Sequence, residues 1–402
     1  MQRFLNSLKE FFSKYFTSNY LQVIILIFSV IIVIILTPFS ITQSNEKQSE
    51  CDLDLQIYLT QIQSTIYSNF TSFLDDTLKS VDIALSFPDE IKEFPKFWKD
   101  TFKSLHERQI SVRIFTNNKN LKFDSYVDIR YLQKSPNDHG SFNMNFAISD
   151  KVDIFFPSTF YVNENIKSDD RQEYSYITHL SNCNSAGRDL SALFDILWTQ
   201  KSEKRKALKH SYIPGNSSEK IVSFYIDPLS EFPIGLPNIT SSLYNSMSLL
   251  YSYKFILSHS IFPDLSKSTS NKERIDLSHK SAKISSLFEV SKELFDDQET
   301  YLMVPRNHFN DHRNQFLSMI SNMDNESILV CDNTDIQGTI IGSSSSKINK
   351  LLLLSSGISN VYSGDMVLGF SLNVDTFLFE NLAAIFENNT KCKNLIQPTI
   401  KI

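Results

Sequence analysis

Asn143, Asn145 and Asp150 stand two and five residues apart in the run Asn143-Met144-Asn145-Phe146-Ala147-Ile148-Ser149-Asp150. Their types limit what they can do. An amide donates and accepts hydrogen bonds, but its nitrogen is delocalised and does not titrate near neutral pH. It therefore serves neither as a covalent nucleophile nor as a general acid. The carboxylate of Asp150 is the one titratable group of the three. With Lys151-Val152-Asp153-Ile154-Phe155-Phe156-Pro157-Ser158 the run reads as two short strands joined by a tight Ser-Asp-Lys turn.

Other residues could carry chemistry elsewhere. His259 sits at the end of an expected strand, where it could act as a base or simply hold a structural hydrogen bond. His308 and His312 are four apart and could share a helix face, as metal ligands do, yet no Glu or third ligand follows at suitable spacing. The pair is better read as a solvated helix start, and no metal or other cofactor is expected. Asp52-Leu53-Asp54 is a D-x-D of the kind that type II glycosyltransferases use for a metal-bound sugar nucleotide, but it lies just beyond an apolar N-terminal segment. The basic run Lys204-Arg205-Lys206 is better read as a solvated helix end than as a phosphate site.

The elements that must position these residues begin with that apolar segment. Leu21 to Phe39 carries no charge, and Val23 to Leu36 is almost wholly aliphatic. About 20 helical residues, at about 1.5 Å each, cross a hydrocarbon core of about 30 Å. Arg3, Lys9 and Lys14 precede the segment against Glu10, whereas Glu46, Glu50, Asp52 and Asp54 follow it against Lys47. The positive-inside rule then predicts a cytosolic tail over 1–20, a transmembrane signal-anchor over 21–39 and a stem over 40–50, all else being lumenal or extracellular. A cleaved signal peptide would have a shorter apolar region and a better small-x-small site than Ser40-Ile41-Thr42.

The remaining 350 or so of the 402 residues suffice for two domains or one large duplicated one. A net charge of -6 argues against a broad nucleic-acid footprint. Cys51, Cys183, Cys331 and Cys392 all follow the apolar segment. Two disulfides are expected, in any of three connectivities. Asn69, Asn216, Asn238, Asn325 and Asn388 open glycosylation sequons, about as many as chance would give in a chain so rich in Asn and Ser.

Short strands alternate with helices, which predicts an α/β layered fold. Strands are expected at 81–86, 111–115, 126–131 and 175–180, with helices near 71–79, 94–107 and 188–200. Pro214-Gly215-Asn216-Ser217 breaks the chain, dividing it into 51–211 and 212–402. The second part repeats the order of the first. A strand ends at Ile261-Phe262-Pro263-Asp264 much as its predecessor ended at Phe87-Pro88-Asp89. Two copies of one plan imply two similar α/β/α halves about a pseudo-two-fold axis.

The Asn143 run occupies the frame H-x-K-x-x-x-x-D, with Asn143 at the histidine, Asn145 at the lysine and Asp150 retained. Asn182-Cys183-Asn184-Ser185-Ala186-Gly187-Arg188-Asp189-Leu190 places a cysteine before an Arg-Asp-Leu helix start. Gly357-Ile358-Ser359-Asn360, followed by Ser363-Gly364, is similar to a glycine-serine-asparagine turn. In this order the segments resemble the type II membrane branch of the phospholipase D superfamily, across nearly the whole chain. The resemblance implies a bilobal phospholipase D-like fold preceded by one transmembrane helix. In active members each half gives a histidine, one as nucleophile and one as general acid, and lysines neutralise the phosphate. Counted back from Gly357, the second histidine position falls on Ser344 or Ser345 and its lysine on Ser346 or Lys347. The first half has Pro157-Ser158-Thr159-Phe160 where its own glycine-serine turn would stand. The resemblance also implies a Cys51–Cys183 disulfide, leaving Cys331 and Cys392 as a second pair, and homodimers would fit it.

Three classes of function follow. The first, and the best supported by the replaced residues, is a membrane-anchored pseudoenzyme that binds an unknown lumenal or extracellular ligand. Its cleft would bear Asn143, Asn145, Ser345, Lys347, Gly357, Ser359, Asn360 and His259. The second is an active phosphodiesterase of the same fold, acting on phospholipid or single-stranded nucleic acid. The third is an unrelated type II membrane enzyme such as a glycosyltransferase.

Overall fold

The computed structural model describes residues 51–394 apart from 59–62, 89–95, 123–124, 134–140, 161–171, 202–221, 228–235, 248–252, 265–270, 290–298, 322–325, 333, 347 and 388–392. The apolar 21–39 segment, the stem, the basic run and the break at 214–217 lie outside the described residues. Among those described, no helix is long and apolar enough to cross a membrane. Residues 51–402 form one compact unit.

The first half comprises β1 (Asp52–Tyr58), α1 (Gln63–Asp75), β2 (Ser80–Leu85), α2 (Lys96–Glu107), β3 (Ser111–Thr116), β4 (Asp128–Tyr131), β5 (Phe142–Asn143), β6 (Phe146–Ser149), β7 (Asp153–Pro157), β8 (Gln172–Ser181) and α3 (Asn184–Ile196). A π-helical turn, Leu197–Lys201, continues α3. The second half runs β9 (Val222–Asp227), α4 (Ile239–Met247), β10 (Tyr253–Ser258), α5 (Asn271–Glu289), β11 (Glu299–Pro305), α6 (Arg306–Asp311), α7 (Arg313–Ser321), β12 (Glu326–Cys331), β13 (Thr334–Ile336), β14 (Thr339–Ser344), β15 (Asn349–Leu354), α8 (Ile358–Ser363), β16 (Met366–Val374), α9 (Thr376–Glu387) and β17 (Lys393–Asn394).

One sheet has the order β1-β8-β7-β6-β2-β3-β4; the other contains β9-β16-β15-β14-β10-β11-β12, with β17 beyond β12. The two orders are the same plan. In each, three parallel strands meet an antiparallel meander. The parallel strands are covered on both faces, so β2 reads as a near-continuous apolar run, with Val81, Ile83, Ala84 and Leu85 all fully buried. Helix α2 shows the other period. Trp98, Phe102 and Leu105 recur at helical spacing and are each 1% exposed, while Asp100, Lys103 and Glu107 face water. Each buried large side chain of this kind contributes about 1.5–3 kcal/mol.

Three apolar clusters give the layering. One lies outside the first sheet under α1 and α2, and one outside the second sheet under α4, α5, α6 and α7. The largest is central, drawing on both sheets and on α3 and α9. Across it Phe156 meets Phe370 edge-on at 4.3 Å between ring centroids. The halves also exchange strands. β5, from the first half, pairs in parallel with β16, and β13, from the second, pairs in parallel with β8.

Cys51 and Cys183 are disulfide-bonded across 132 residues, fixing β1 against the start of α3. Cys331 is also in a disulfide, its other half outside the described residues. Gly187, in the first turn of α3, lets the β6–β7 hairpin approach; a Cβ there would lie 2.1 Å from the Lys151 carbonyl oxygen. Asp52-Leu53-Asp54 forms the start of edge strand β1, in ladder with β8.

Candidate functional site

The pseudo-dyad can be read from hydrogen bonds. Ser158 N–H donates to the Tyr176 carbonyl at 3.0 Å, and Tyr176 N–H donates back to Ser158 Oγ at 3.4 Å. Ser355 and Leu368 repeat the pattern at 2.9 and 3.1 Å. Ser158 and Ser355 are therefore equivalent. Three residues upstream, Phe155 pairs with Ala147 in one half and Leu352 pairs with Ile341 in the other. Stepping back along β6 and β14 makes Asn145 equivalent to Thr339, and Asn143 equivalent to Gln337. The exchanged strands agree independently. Asn143 is opposite Val367, and Ile336 is opposite Tyr174, so the next step sets Gln337 opposite Ser175, the dyad mate of Val367.

This register corrects the expectation for the second half. Ser345 lies in the β14–β15 hairpin, bonded locally to Ile348. That is the far end of β14 from Thr339, about 20 Å away at about 3.3 Å per residue. Lys347 is outside the described residues. The displacement has a simple cause: the β14–β15 hairpin is longer than its β6–β7 counterpart, and Ser355 rather than Gly357 marks the equivalent turn. Counting back from Gly357 with the first-half spacing therefore stops short, in the hairpin.

Each site position is occupied by a group engaged in structure. Asn143 Nδ2 donates to Asp365 Oδ2 at 3.0 Å, and its carbonyl accepts a hydrogen bond from Ser355 Oγ. Asn145 is 4% exposed. Its Oδ1 accepts the Ser86 N–H at 2.9 Å and its Nδ2 donates to the Ser158 carbonyl at 3.3 Å. Thr339 is fully buried, its Oγ1 donating to the Ser356 carbonyl at 2.8 Å and meeting Ser258 Oγ at 2.9 Å. Asp150 is remote from Asn143, past the other end of β6. Its carboxylate accepts the backbone N–H groups of Leu78, Lys79 and Ser80 at 2.8 to 3.0 Å, so it anchors the entry to β2.

Beside Asn143, Asp365 draws the neighbouring groups together. Its Oδ1 accepts the Ser141 N–H at 2.7 Å and its Oδ2 also accepts Asn360 Nδ2 at 2.8 Å. Ser359 and Ser260 share a 2.6 Å hydroxyl contact. Gly357 permits it, since a Cβ there would fall 2.2 Å from Ser260 Oγ. These residues form one wall of a cavity of about 500 Å³. His259, Asp264, Asp311 and His312 are among the residues of the other walls, and among the described residues no lysine or arginine lines it.

His308 also lines the cavity, but not as a solvated helix residue. Its Nε2 accepts N–H groups from Ile261 at 2.8 Å and Phe262 at 3.3 Å, which requires the neutral ring. Burial, and then the nearby His312 and His259, lower its pKa from 6.5 to about 3. A lone pair committed to the backbone rules His308 out as an Nε2 metal ligand. Among the described residues no His/Cys/Asp/Glu group is arranged to hold a metal ion. Gly357, Ser359, Asn360 and His259 are thus brought together, while Ser345 is not. Asp365, Gln337 and Thr339 were missed, because no spacing in the sequence marks them.

Of the sequons, Asn238 is a helix cap. Its Oδ1 accepts the Thr240 N–H at 2.6 Å and its Nδ2 donates to Asp227 at 2.9 Å, so that nitrogen is already used in the folded chain. Asn69 lies partly buried on α1. Asn216, Asn325 and Asn388 fall outside the described residues.

Two sheets of the same plan, related by a dyad that carries the paired motif positions, define a phospholipase D-like fold. Neither protein-family models nor curated proteins match the sequence. Among solved structures, phosphatidylserine synthase from Haemophilus influenzae aligns with a TM-score of 0.56 and 7% identity, over 85% of this chain and 90% of its own. Polyphosphate kinase from Porphyromonas gingivalis aligns with a TM-score of 0.50 and 10% identity, over 84% of this chain. The chain spans 50% of that kinase's length. At such identities the likeness is one of fold.

Proposed function

We propose that this chain is a type II membrane-anchored, phospholipase D-like pseudoenzyme that binds a polar ligand in the lumen or at the cell surface. The reading is carried by the dyad register, which pairs Asn143 with Gln337. Two amides stand where the fold would need a nucleophile and an acid, and neutral Asn145 and Thr339 stand where it would need cations. Without those cations the site has little to stabilise charge developing on a phosphoryl group. Removing one nucleophile alone costs on the order of 10⁴–10⁶ in rate. The anchor rests on the charge asymmetry about 21–39.

Purified full-length chain in detergent is expected to give no turnover of phosphatidylcholine, single-stranded DNA or a chromogenic phosphodiester. Robust turnover abolished by Asp365→Ala or His259→Ala would sink this reading and favour a rewired phosphodiesterase. Asp150→Ala is unsuitable for that purpose, because Asp150 holds backbone. For the topology, protease added to intact microsomes is expected to trim only the short tail. Digestion of the region beyond Cys51 would reverse the assignment.

A further inference from the structure

Exposed apolar side chains gather at one end of the molecule, and the strand ladders locate that end. β5 runs parallel to β16, and β16 runs the same way as β14, since both are antiparallel to β15. From β5 the chain continues into β6 without a turn. β6 and β14 therefore point the same way, within the twist of the sheets, and their hairpins lie at one end. Asn143 and Gln337, which precede these strands, lie at the other. Among the described residues five large apolar side chains are exposed, and three of them stand at the hairpin end. Leu78, 76% exposed, donates its N–H to Asp150 in the β6–β7 turn. Ile348, 50% exposed, is held in the β14–β15 hairpin by its N–H bond to Ser345 Oγ at 3.2 Å. Next to it Asn349 Nδ2 donates to Thr376 Oγ1 at 3.3 Å, which brings Phe377, 76% exposed, to the same hairpin. Exposed Lys79 and Lys151 and half-buried Lys350 are their neighbours. Apolar side chains scattered singly need no explanation, but a set sharing one end does.

The chain also enters the fold at this end. Cys183 N–H donates to the carbonyl of Val152, in the β6–β7 turn, at 2.8 Å, so the Cys51–Cys183 bridge is fixed there. Cys51 follows Phe39 by 12 residues, at most about 40 Å of extended chain. A bilayer holding the 21–39 segment is thus within reach of the hairpin end. We infer that this end rests on the bilayer that anchors the chain. Leu78, Ile348 and Phe377 enter the boundary between headgroups and acyl chains, and the lysines beside them meet headgroup phosphates. The inference rests on the signal-anchor reading and adds an orientation to it. It also bears on the cleft. Asn143 and Asp365, at the far end of the strands, open away from that bilayer, so their ligand arrives from the aqueous side rather than from the anchoring membrane.

Tryptophan reporters test the orientation. Leu78→Trp, Ile348→Trp and Phe377→Trp place one each at the hairpin end. Ile275→Trp, 59% exposed, places one at the other end, where nearby Leu277 lines the cavity with Asn360 and Asp365. Each full-length variant is reconstituted into phosphatidylcholine vesicles with brominated acyl chains, which quench tryptophan on contact. Buried Trp98 and Trp198 set a common background. The three hairpin-end reporters are each expected to lose more than half of their added emission relative to vesicles without bromine, and Ile275→Trp to lose none. Circular dichroism identifies any variant that misfolds, and the remaining reporters then carry the test. Equal quenching at both ends, or none at the hairpin end, would overturn the inference. A second copy of the chain covering these side chains would give the latter result. Alkaline carbonate extraction of the same vesicles keeps the two readings apart. Chain that resists extraction yet is unquenched removes the orientation alone. Chain that is quenched yet extracted removes the anchor alone.

Discussion

Acid should act on this fold through two groups of opposite sign, and separating them tests the site's electrostatics. His308 accepts backbone N–H groups at Nε2, and its pKa falls from 6.5 to about 3. Between those values the unfolded chain binds the extra proton. His308 therefore favours the fold above pH 6.5, and that contribution is lost as pH falls towards 3. Asp227 is opposite. Burial raises its pKa from 3.8 to about 6, against the lowering effect of Asn238 and Thr240. In that window the folded chain binds the extra proton, so its contribution grows as pH falls from 6 towards 4. Each pH unit corresponds to about 1.4 kcal/mol for a fully shifted group. From pH 6 to 4.5 that is about 2 kcal/mol for each, or about 1 kcal/mol after discounting for partial exposure. In the wild type the two largely cancel. Asp227→Asn should unmask the histidine, so that stability drops by about 1 kcal/mol on acidification. His308→Gln, which keeps an acceptor oxygen, should instead gain about as much. Urea denaturation at pH 6.0 and 4.5, followed by fluorescence of the buried Trp98 and Trp198, reads both slopes. If Asp227→Asn fails to steepen the acid loss, or His308→Gln fails to reverse it, the assignment of these groups is wrong.

Two further outcomes follow from the fold. Cys51→Ser with Cys183→Ser should destabilise the chain by about 2–5 kcal/mol, since the bridge closes a loop of 132 residues; equal urea midpoints for variant and wild type would contradict it. Asn145→Lys, which restores the lysine of the frame, should destabilise by about 3 kcal/mol or more. It places an ammonium at a 4% exposed position and removes both side-chain ties, so a thermal midpoint unchanged from wild type would show that the site is still open.

The alternation of short apolar strands with helices was legible, because buried parallel strands and amphipathic helices each stamp a period on the chain. So was the duplication, down to the Phe-Pro-Asp that ends β2's loop and recurs after β10. Boundaries were less so: α1 runs Gln63–Asp75 rather than 71–79. β5 and β13 were invisible, as strands of two and three residues owe their form to the sheet they join. That loss propagates to the site. Gln337 follows β13 directly, and without β13 nothing in Ile336-Gln337-Gly338-Thr339 suggests chemistry. His308 and His312 could be paired from spacing. Which ring nitrogen is spent on backbone, and which is left over, depends on contacts with residues 46 to 47 and 3 positions away.

Asn145 and Thr339, at the two dyad-related positions, each serve the fold. A lysine there would project a cation into the cleft, and would be held by the charge of what it binds. Asn145 and Thr339 instead turn inward and tie β6 to the β2 and β7 ends, and β14 to the β10 and β15 ends. The ties stand in both halves at dyad-related places, so hydrogen bonds hold the centre of the molecule alike in each half. Asn143 is tied in the same way. Its amide gives Asp365 a neutral donor, and Asp365 in turn holds Asn360 and the Ser141 backbone. Asn143 from the first half and Asp365 from the second thus form a clasp between the halves.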